Sequence, residues 1–438
     1  MSDARTIRGP LGRLAAMLGI EAREFAAVAW SFVYFFCLLS AYYMLRSVRE
    51  AMAIVGGTEN IPWLFTGTFV VMLLATPVFG WVASRFPRKQ FLPWVYYFFV
   101  LNILLFYAAF TLVQVRELSP VWVSRAFFVW LSVFNLFVVS VFWSFMADIW
   151  SKEQSRRLFG LISAGGSTGA LVGPLITSVL VVPIGFRNLL PLSALLLAFA
   201  VVCVYRLRHL AVGRVDERGA ARGDEPIGGR ALAGIRLVAT SPYLGAIAGA
   251  LVIANFLGVA TYMYMAQLVD QTFPDTDRHT QVFAILDAIT NALSFIGQLV
   301  VVKYSVRRLG VGMTLAVLPI VSVLGFAVLA MQPVFVVIAA LQVVRRSITF
   351  GLSKPTSDML YSVVSPEARY KAKNFVETAI YRGGDLFATW TIRFIGGIGL
   401  AGVAAVCVPL AILWTVLALR IGRGYDRRDE ALTRGETA

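Results

Sequence analysis

The chain has 438 residues, 58% of them hydrophobic and only 14% charged, with a mean hydropathy of +0.76. Soluble domains carry about 25% charged and roughly 45–50% apolar residues, so an ordinary soluble enzyme is excluded. A net charge of +15 would suggest nucleic-acid binding in a soluble protein. Here the cations sit in short polar gaps between apolar runs, each long enough to cross a roughly 30 Å hydrocarbon layer. The partner is the lipid bilayer, and no nucleic acid is expected.

In chain order, the first 24 residues place Leu11, Leu14, Leu18 and Ala22 on one side of a helix and Arg8, Arg13 and Arg23 elsewhere, as suits an interfacial segment. Twelve spans follow: Phe25 to Leu45, Pro62 to Ser84, Phe91 to Val113, Val121 to Met146, Leu158 to Val182, Leu189 to Tyr205, Leu244 to Leu268, Val282 to Val302, Val311 to Met331, Val334 to Leu352, Asn374 to Ile395 and Gly399 to Leu419. The first is too long for a signal-peptide core and is read as an uncleaved span. The expected fold class is an all-α polytopic membrane protein with twelve transmembrane helices in two six-helix halves. Residues 1–24 form a cytoplasmic segment, 25–208 the first half, 209–240 a central loop, 241–421 the second half and 422–438 a tail. Most Lys and Arg fall on the side that holds both termini and the central loop, which the positive-inside rule places in the cytoplasm of a cell or inner membrane.

Cys37, Cys203 and Cys407 lie inside apolar spans, as small core residues do. With only His209 and His279, and neither a CxxC nor an HExxH pattern, no metal ligand set is expected. No cofactor is expected, and no enzyme motif stands out. Without a GxxxxGK[ST] loop, a nucleotide would be cargo rather than fuel.

Six spans on either side of a polar centre is the layout of the major facilitator architecture, in which two halves rock around a midplane site. After span two, Gly80-Trp-Val-Ala-Ser84-Arg85-Phe-Pro87-Arg88-Lys89 resembles the facilitator signature, with Ser84 at its acid and Pro87 at its later glycine. Arg85, Arg88, Lys89 and Asp148 are candidates for a cytoplasmic latch; positive-inside anchoring alone would also supply such cations. In span five, Gly165, Gly169 and Gly173 recur every four residues before Pro174, a stripe that suits close helix packing or a moving hinge.

Charges within hydrocarbon cost at least about 2.5–3.5 kcal/mol on insertion scales and mark functional candidates. Tyr42, Arg46 and Arg49 share one face at the outer part of span one, and Glu50 stands four residues after Arg46. Two guanidiniums facing a cavity make a fork for phosphate or carboxylate; the alternative is that they end the span and snorkel. In span eleven, Glu377, Tyr381 and Asp385 recur every four residues, and Arg382 is spaced to pair with Asp385. In span eight, Asp287, Asn291, Ser294 and Gln298 form a polar stripe that faces a pore or bonds other helices. Substrate-binding candidates are therefore Tyr42, Arg46, Arg49, Asn291 and Arg382; Glu50, Asp287, Glu377 and Asp385 are candidates for coupling or gating.

Tyr43-Met-Leu-Arg46-Ser-Val-Arg49-Glu50, the stretch Lys354-Pro355-Thr356-Ser-Asp358-Met359-Leu360-Tyr361, and Tyr370-Lys371-Ala-Lys373 before Glu377 resemble the nucleotide translocase (ATP:ADP antiporter) family of plastids and intracellular bacteria. Phe142-Trp143-Ser-Phe145 and the Gly160-rich span also fit. The resemblance implies that Arg49 stands where that family has a basic residue important for the anionic substrate, with Arg46 assisting. The sequence departs from the family at Asp385, where a lysine is expected, and at Gln267 and Asp270, where an acid–base pair is expected.

The reading is a non-enzymatic secondary transporter of a nucleotide or related small anionic metabolite, working by alternating access. One alternative is proton-coupled transport of another organic anion. An alternative of another class is a non-transporting membrane protein, such as a lipid scramblase or a partner subunit.

Overall fold

The computed structural model describes residues 20–21, 23–85, 88–211, 233–365, 371–373 and 375–434, with the side chains of 78–84, 88–91, 152, 211 and 233–235 left aside. Most of the expected interfacial N-terminal segment and the middle of the central loop lie outside the described residues. Within the described residues every regular element is helical.

The helices are α1 (Phe25–Val55), α2 (Ile61–Arg85), α3 (Arg88–Val115), α4 (Val121–Ile149), α5 (Lys152–Ile184) and α6 (Leu189–Ala211), then α7 (Pro242–Thr272), α8 (Thr276–Ile296), α9 (Val302–Met331), α10 (Phe335–Ile348), α11 (Tyr381–Ile395) and α12 (Gly399–Thr433). Ten continuous helical stretches are long and apolar enough to cross a membrane. Two of them, Thr276–Met331 with 56 residues and Lys371–Thr433 with 63, would each be over 80 Å long at about 1.5 Å per residue. Each is broken by a glycine in the left-handed region, Gly310 at φ 75° and Gly399 at φ 74°. A side chain rarely adopts that conformation, and each break is a turn between two crossings. Among the described residues the helical segments so divided follow the order of the apolar runs in the sequence.

By their packing the described residues form two compact units, one from those within Met1–Met52, Val71–Pro226 and Thr276–Ala288, the other from those within Ala53–Val70, Ile227–Asp275 and Ile289–Ala438. These units exchange two segments relative to the six-plus-six division of the sequence.

The first unit is cored by aromatic rings. Phe35 stacks on Phe142 with centroids 4.0 Å apart, and Tyr34 meets Phe142 edge-on at 4.8 Å. Tyr34 and Tyr96, both fully buried, share a hydrogen bond. The glycine stripe of α5 lies against the backbone of α1: a Cβ at Gly165, Gly169 or Gly173 would collide with the carbonyl of Phe32, Phe36 or Ser40 respectively. The stripe therefore packs helices closely. At the start of α5, Ser151 and Gln154 form a reciprocal capping box, and Arg157 and Gln154 both bond the buried carboxylate of Glu24 just before α1. The polar end of α8 joins this unit through Asp277, which accepts from Phe186 N at 2.7 Å, and Gln281, which donates to Ser178 O at 2.9 Å.

In the second unit three helices carry π-turns, at Gly297–Val301, Thr349–Ser353 and Val376–Ile380. A π-turn inserts a residue and disturbs the carbonyl ladder of its helix. Side-chain amides from neighbouring helices answer this: Gln298 donates to Phe350 O at 3.0 Å, and Asn255 donates to Tyr381 O at 2.8 Å. Gly297 and Gly351 let the first two π-turns touch, since a Cβ on Gly297 would lie 3.1 Å from Gly351 Cα. Cys37, Cys203 and Cys407 are buried free thiols.

Candidate functional site

α1 does not stop at Leu45. It runs to Val55, so Arg46, Arg49 and Glu50 sit within the helix, and the arginines do not terminate it. Their side chains are 19% and 18% exposed, and that of Glu50 7%. Because Arg46 and Arg49 are three apart, they share a face and meet α4 and α8 of the same unit. Arg49 Nη2 lies 2.7 Å from Glu50 Oε1, its Nη1 donates to Ser132 Oγ at 3.3 Å, and its guanidinium covers the Phe128 ring at 4.7 Å. Phe128 and Ser132 are four apart on α4, which is why one arginine reaches both. Arg46 Nε is 3.7 Å from Asp287 Oδ2 and 3.9 Å from Glu50 Oε1, with its guanidinium 5.5 Å from the centroid of Tyr43. Tyr42 packs against Tyr43 and Phe134. Two cations and two acids thus gather in a mostly buried cluster; the spacing of span one accounts for Arg46, Arg49 and Glu50, and the packing of α8 brings Asp287 to them.

The remaining binding and coupling candidates, Asn291, Glu377, Arg382 and Asp385, belong to the second unit. Asn291 is half-buried on α8. Arg382 and Asp385 do not pair: no ion pair joins them among the described residues, and Arg382 instead covers the ring of Tyr381 at 5.6 Å. Helical spacing allows the pair, and the side-chain conformation of Arg382 takes it to the ring instead. Glu377 lies in the π-turn before α11, in a ring of alternating charge. It is 2.6 Å from Lys354 and 4.0 Å from Lys373, while Asp358 is 3.5 Å and 2.9 Å from the same lysines. Of the latch candidates, Arg85 ends α2 and Asp148 lies in the last turn of α4, both exposed; the side chains of Arg88 and Lys89 lie outside the described ones.

The sequence reading passes over Arg345. This arginine, 6% exposed within α10, donates from Nε to Ser322 Oγ at 3.1 Å and from Nη1 to Leu257 O and Thr261 Oγ1, each at 3.0 Å. It joins α10 to α7 and α9 with hydroxyls and carbonyls as partners. The rule that selects charges inside spans would have found it, since Arg345 and Arg346 stand well inside span ten. Among the described residues no group of His, Cys, Asp and Glu could hold a metal ion.

Residues 25–388 match the family model of the Major Facilitator Superfamily. The chain belongs to that superfamily, a class of multi-pass membrane proteins. No curated protein matches it. Solved structures share the fold at low identity. A bacterial homologue of the iron transporter ferroportin, in an inward-facing state, is similar with a TM-score of 0.68 and 13% identity, covering 91% of this chain and 99% of its own. A POT family transporter in complex with 5-aminolevulinic acid gives 0.63 and 10%, covering 91% and 96%. The nucleoside transporter NupG gives 0.60 and 16%, covering 91% and 98%. These neighbours are transporters.

Proposed function

We propose that the chain is a secondary active transporter for a small anionic metabolite, with a nucleotide or related phosphorylated compound as the leading cargo and ATP/ADP-type exchange as its mode. The observation that carries the reading is the pair of largely buried guanidiniums on one face of α1, Arg46 and Arg49, with the acids Glu50 and Asp287 beside them. Cations kept at that cost inside a span have a use for their charge, and guanidinium forks match phosphate and carboxylate oxygens. Membership in a transporter superfamily and the resemblance to the nucleotide translocases in spans one, ten and eleven point the same way. Alternating access then requires that cargo stabilise the occluded state more than either open state. The excess of Lys and Arg on one side supports a cell or inner membrane with both termini in the cytoplasm.

A stability screen tests the cargo class. Purified protein in detergent is heated with nucleotides, sugar phosphates, simple organic anions or uncharged nucleosides and sugars, and a bound ligand raises the unfolding temperature by mass action. Nucleotides or sugar phosphates should give a saturable rise that Arg46→Gln removes. A rise only with uncharged solutes contradicts the reading.

One observation favours a second reading, proton-coupled transport of another organic anion. Asp385 is a half-buried carboxylate in α11 with no ion pair among the described residues, and such a group suits proton carriage. Uptake that follows an imposed pH gradient and is lost in Asp385→Asn would support it. Uptake indifferent to both would remove it.

A further inference from the structure

We infer that Arg46 is the cation that grips the cargo's anionic group, that Asp287 is an internal anion holding that place in the empty protein, and that Arg49 is a positioning residue. This inference rests on the reading that the α1 cluster binds an anion, and it reverses the emphasis of the family resemblance, which points to Arg49.

The two arginines are held differently. Arg49 is fixed at three points: the close carboxylate of Glu50, the hydroxyl of Ser132 and the ring of Phe128. Both of its terminal nitrogens are engaged by the protein. Arg46 approaches Asp287 at 3.7 Å and Glu50 at 3.9 Å, near enough for charge balance and too far for a hydrogen bond. Its side chain makes no hydrogen bond to any described residue, although it is only 19% exposed. A guanidinium carries five N–H donors in a fixed fork, and no nitrogen of Arg46 is among the fully buried atoms that lack a partner, so its donors are reachable from solution. A phosphate or carboxylate entering from there supplies acceptors for them two at a time.

Asp287, 3% exposed on α8, sets the terms of that entry. Arg46, Arg49, Glu50 and Asp287 together carry no net charge, so an incoming anion meets a balanced cluster and competes with Asp287 for Arg46. Like charges side by side repel strongly where water is scarce. Anion binding and the Arg46–Asp287 approach are therefore mutually opposed, and cargo loosens the tie between α1 and the first half of α8. This gives the cluster a specificity rule as well: a cargo must offer an oxyanion strong enough to replace an aspartate.

The test is equilibrium binding of labelled ATP to the purified protein. Asp287→Asn removes the competitor and should tighten binding by on the order of 5- to 10-fold, whereas Asp287→Glu retains it and stays at the wild-type level or weaker. The gain from Asp287→Asn should persist in an Arg49→Gln background and vanish in an Arg46→Gln background. If Asp287→Asn does not fold, as judged by its unfolding transition, Asp287→Ser is measured in its place with the same expectation. Unchanged or weaker binding in the neutral variant, or a gain that survives Arg46→Gln, overturns the inference while leaving the anion-transport reading in place. Absence of saturable ATP binding in wild type and all variants overturns the nucleotide reading itself, and the inference with it.

Discussion

At the scale of single residues, the chain contains two kinds of intramembrane arginine. Arg46 and Arg49 stand beside carboxylates, whereas Arg345 is held by Ser322, Thr261 and the carbonyl of Leu257. Hydroxyls and carbonyls satisfy a guanidinium's donors without neutralising its charge, so Arg345 works chiefly as a cross-link between α7, α9 and α10. Truncating it to Ala removes four hydrogen bonds, the fourth from Nη2 to Ala254 O at 3.5 Å, and leaves a cavity, which should cost about 2–4 kcal/mol and appear as a lower unfolding temperature in detergent. Arg345→Met fills most of the space and sheds the buried charge, so its loss should be smaller. A larger loss for Met than for Ala would contradict the cross-link account. The contrast was partly visible in the sequence: Arg46, Arg49 and Glu50 announce themselves by helical spacing, but whether an arginine's partners are acids or hydroxyls depends on which helices adjoin it, and spacing along one helix carries no such information. The same limit explains Arg382 and Asp385. Their spacing permits a pair, and the conformation of Arg382, over the ring of Tyr381, does not make it.

At the scale of elements, the glycine stripe of α5 fixes how near α1 can lie. A Cβ on Gly173 would come within 2.6 Å of Ser40 O, yet one on Gly160 in the same helix meets nothing within 4 Å. Gly173→Ala should therefore destabilise by about 1–3 kcal/mol through forced separation of the helices, while Gly160→Ala should be neutral or slightly stabilising because alanine favours helix. Paired thermal melts decide this, and equal effects would refute the packing role. The stripe was legible as a repeat, though only the facing backbone shows that it packs. The π-turns were not legible: the hydrogen bonds beside them, from Gln298 to Phe350 O and from Asn255 to Tyr381 O, run between helices, which spacing along one helix does not encode. Glu377 lies in one of these turns, between Lys354 and Lys373, and its side chain is 36% exposed. Pairs so exposed contribute within about 1 kcal/mol. Glu377→Gln should leave stability nearly unchanged and alter the rate of cargo exchange more than its half-saturation concentration. A large shift in half-saturation with an unchanged rate would instead place Glu377 in the binding site.

At the scale of the whole molecule, the apolar period of the sequence set the number and order of the spans, because a helix crossing lipid must satisfy its backbone within itself and present apolar side chains. Two left-handed glycines, Gly310 and Gly399, make turns where the helical stretches would otherwise run too long. The packing of the units was less legible: Thr276–Ala288 joins the first unit and Ala53–Val70 the second, through local contacts such as Asp277 with Phe186 and Trp390 with Thr66 that apolar periodicity does not encode. The central claim, that this superfamily member exchanges a phosphorylated anion through the α1 cluster, is tested most directly by counterflow. Proteoliposomes preloaded with unlabelled ADP should accumulate labelled ATP in a saturable way, and Arg46→Gln protein reconstituted to the same density should not. Equal accumulation by the wild type, the Arg46→Gln variant and empty liposomes would contradict it.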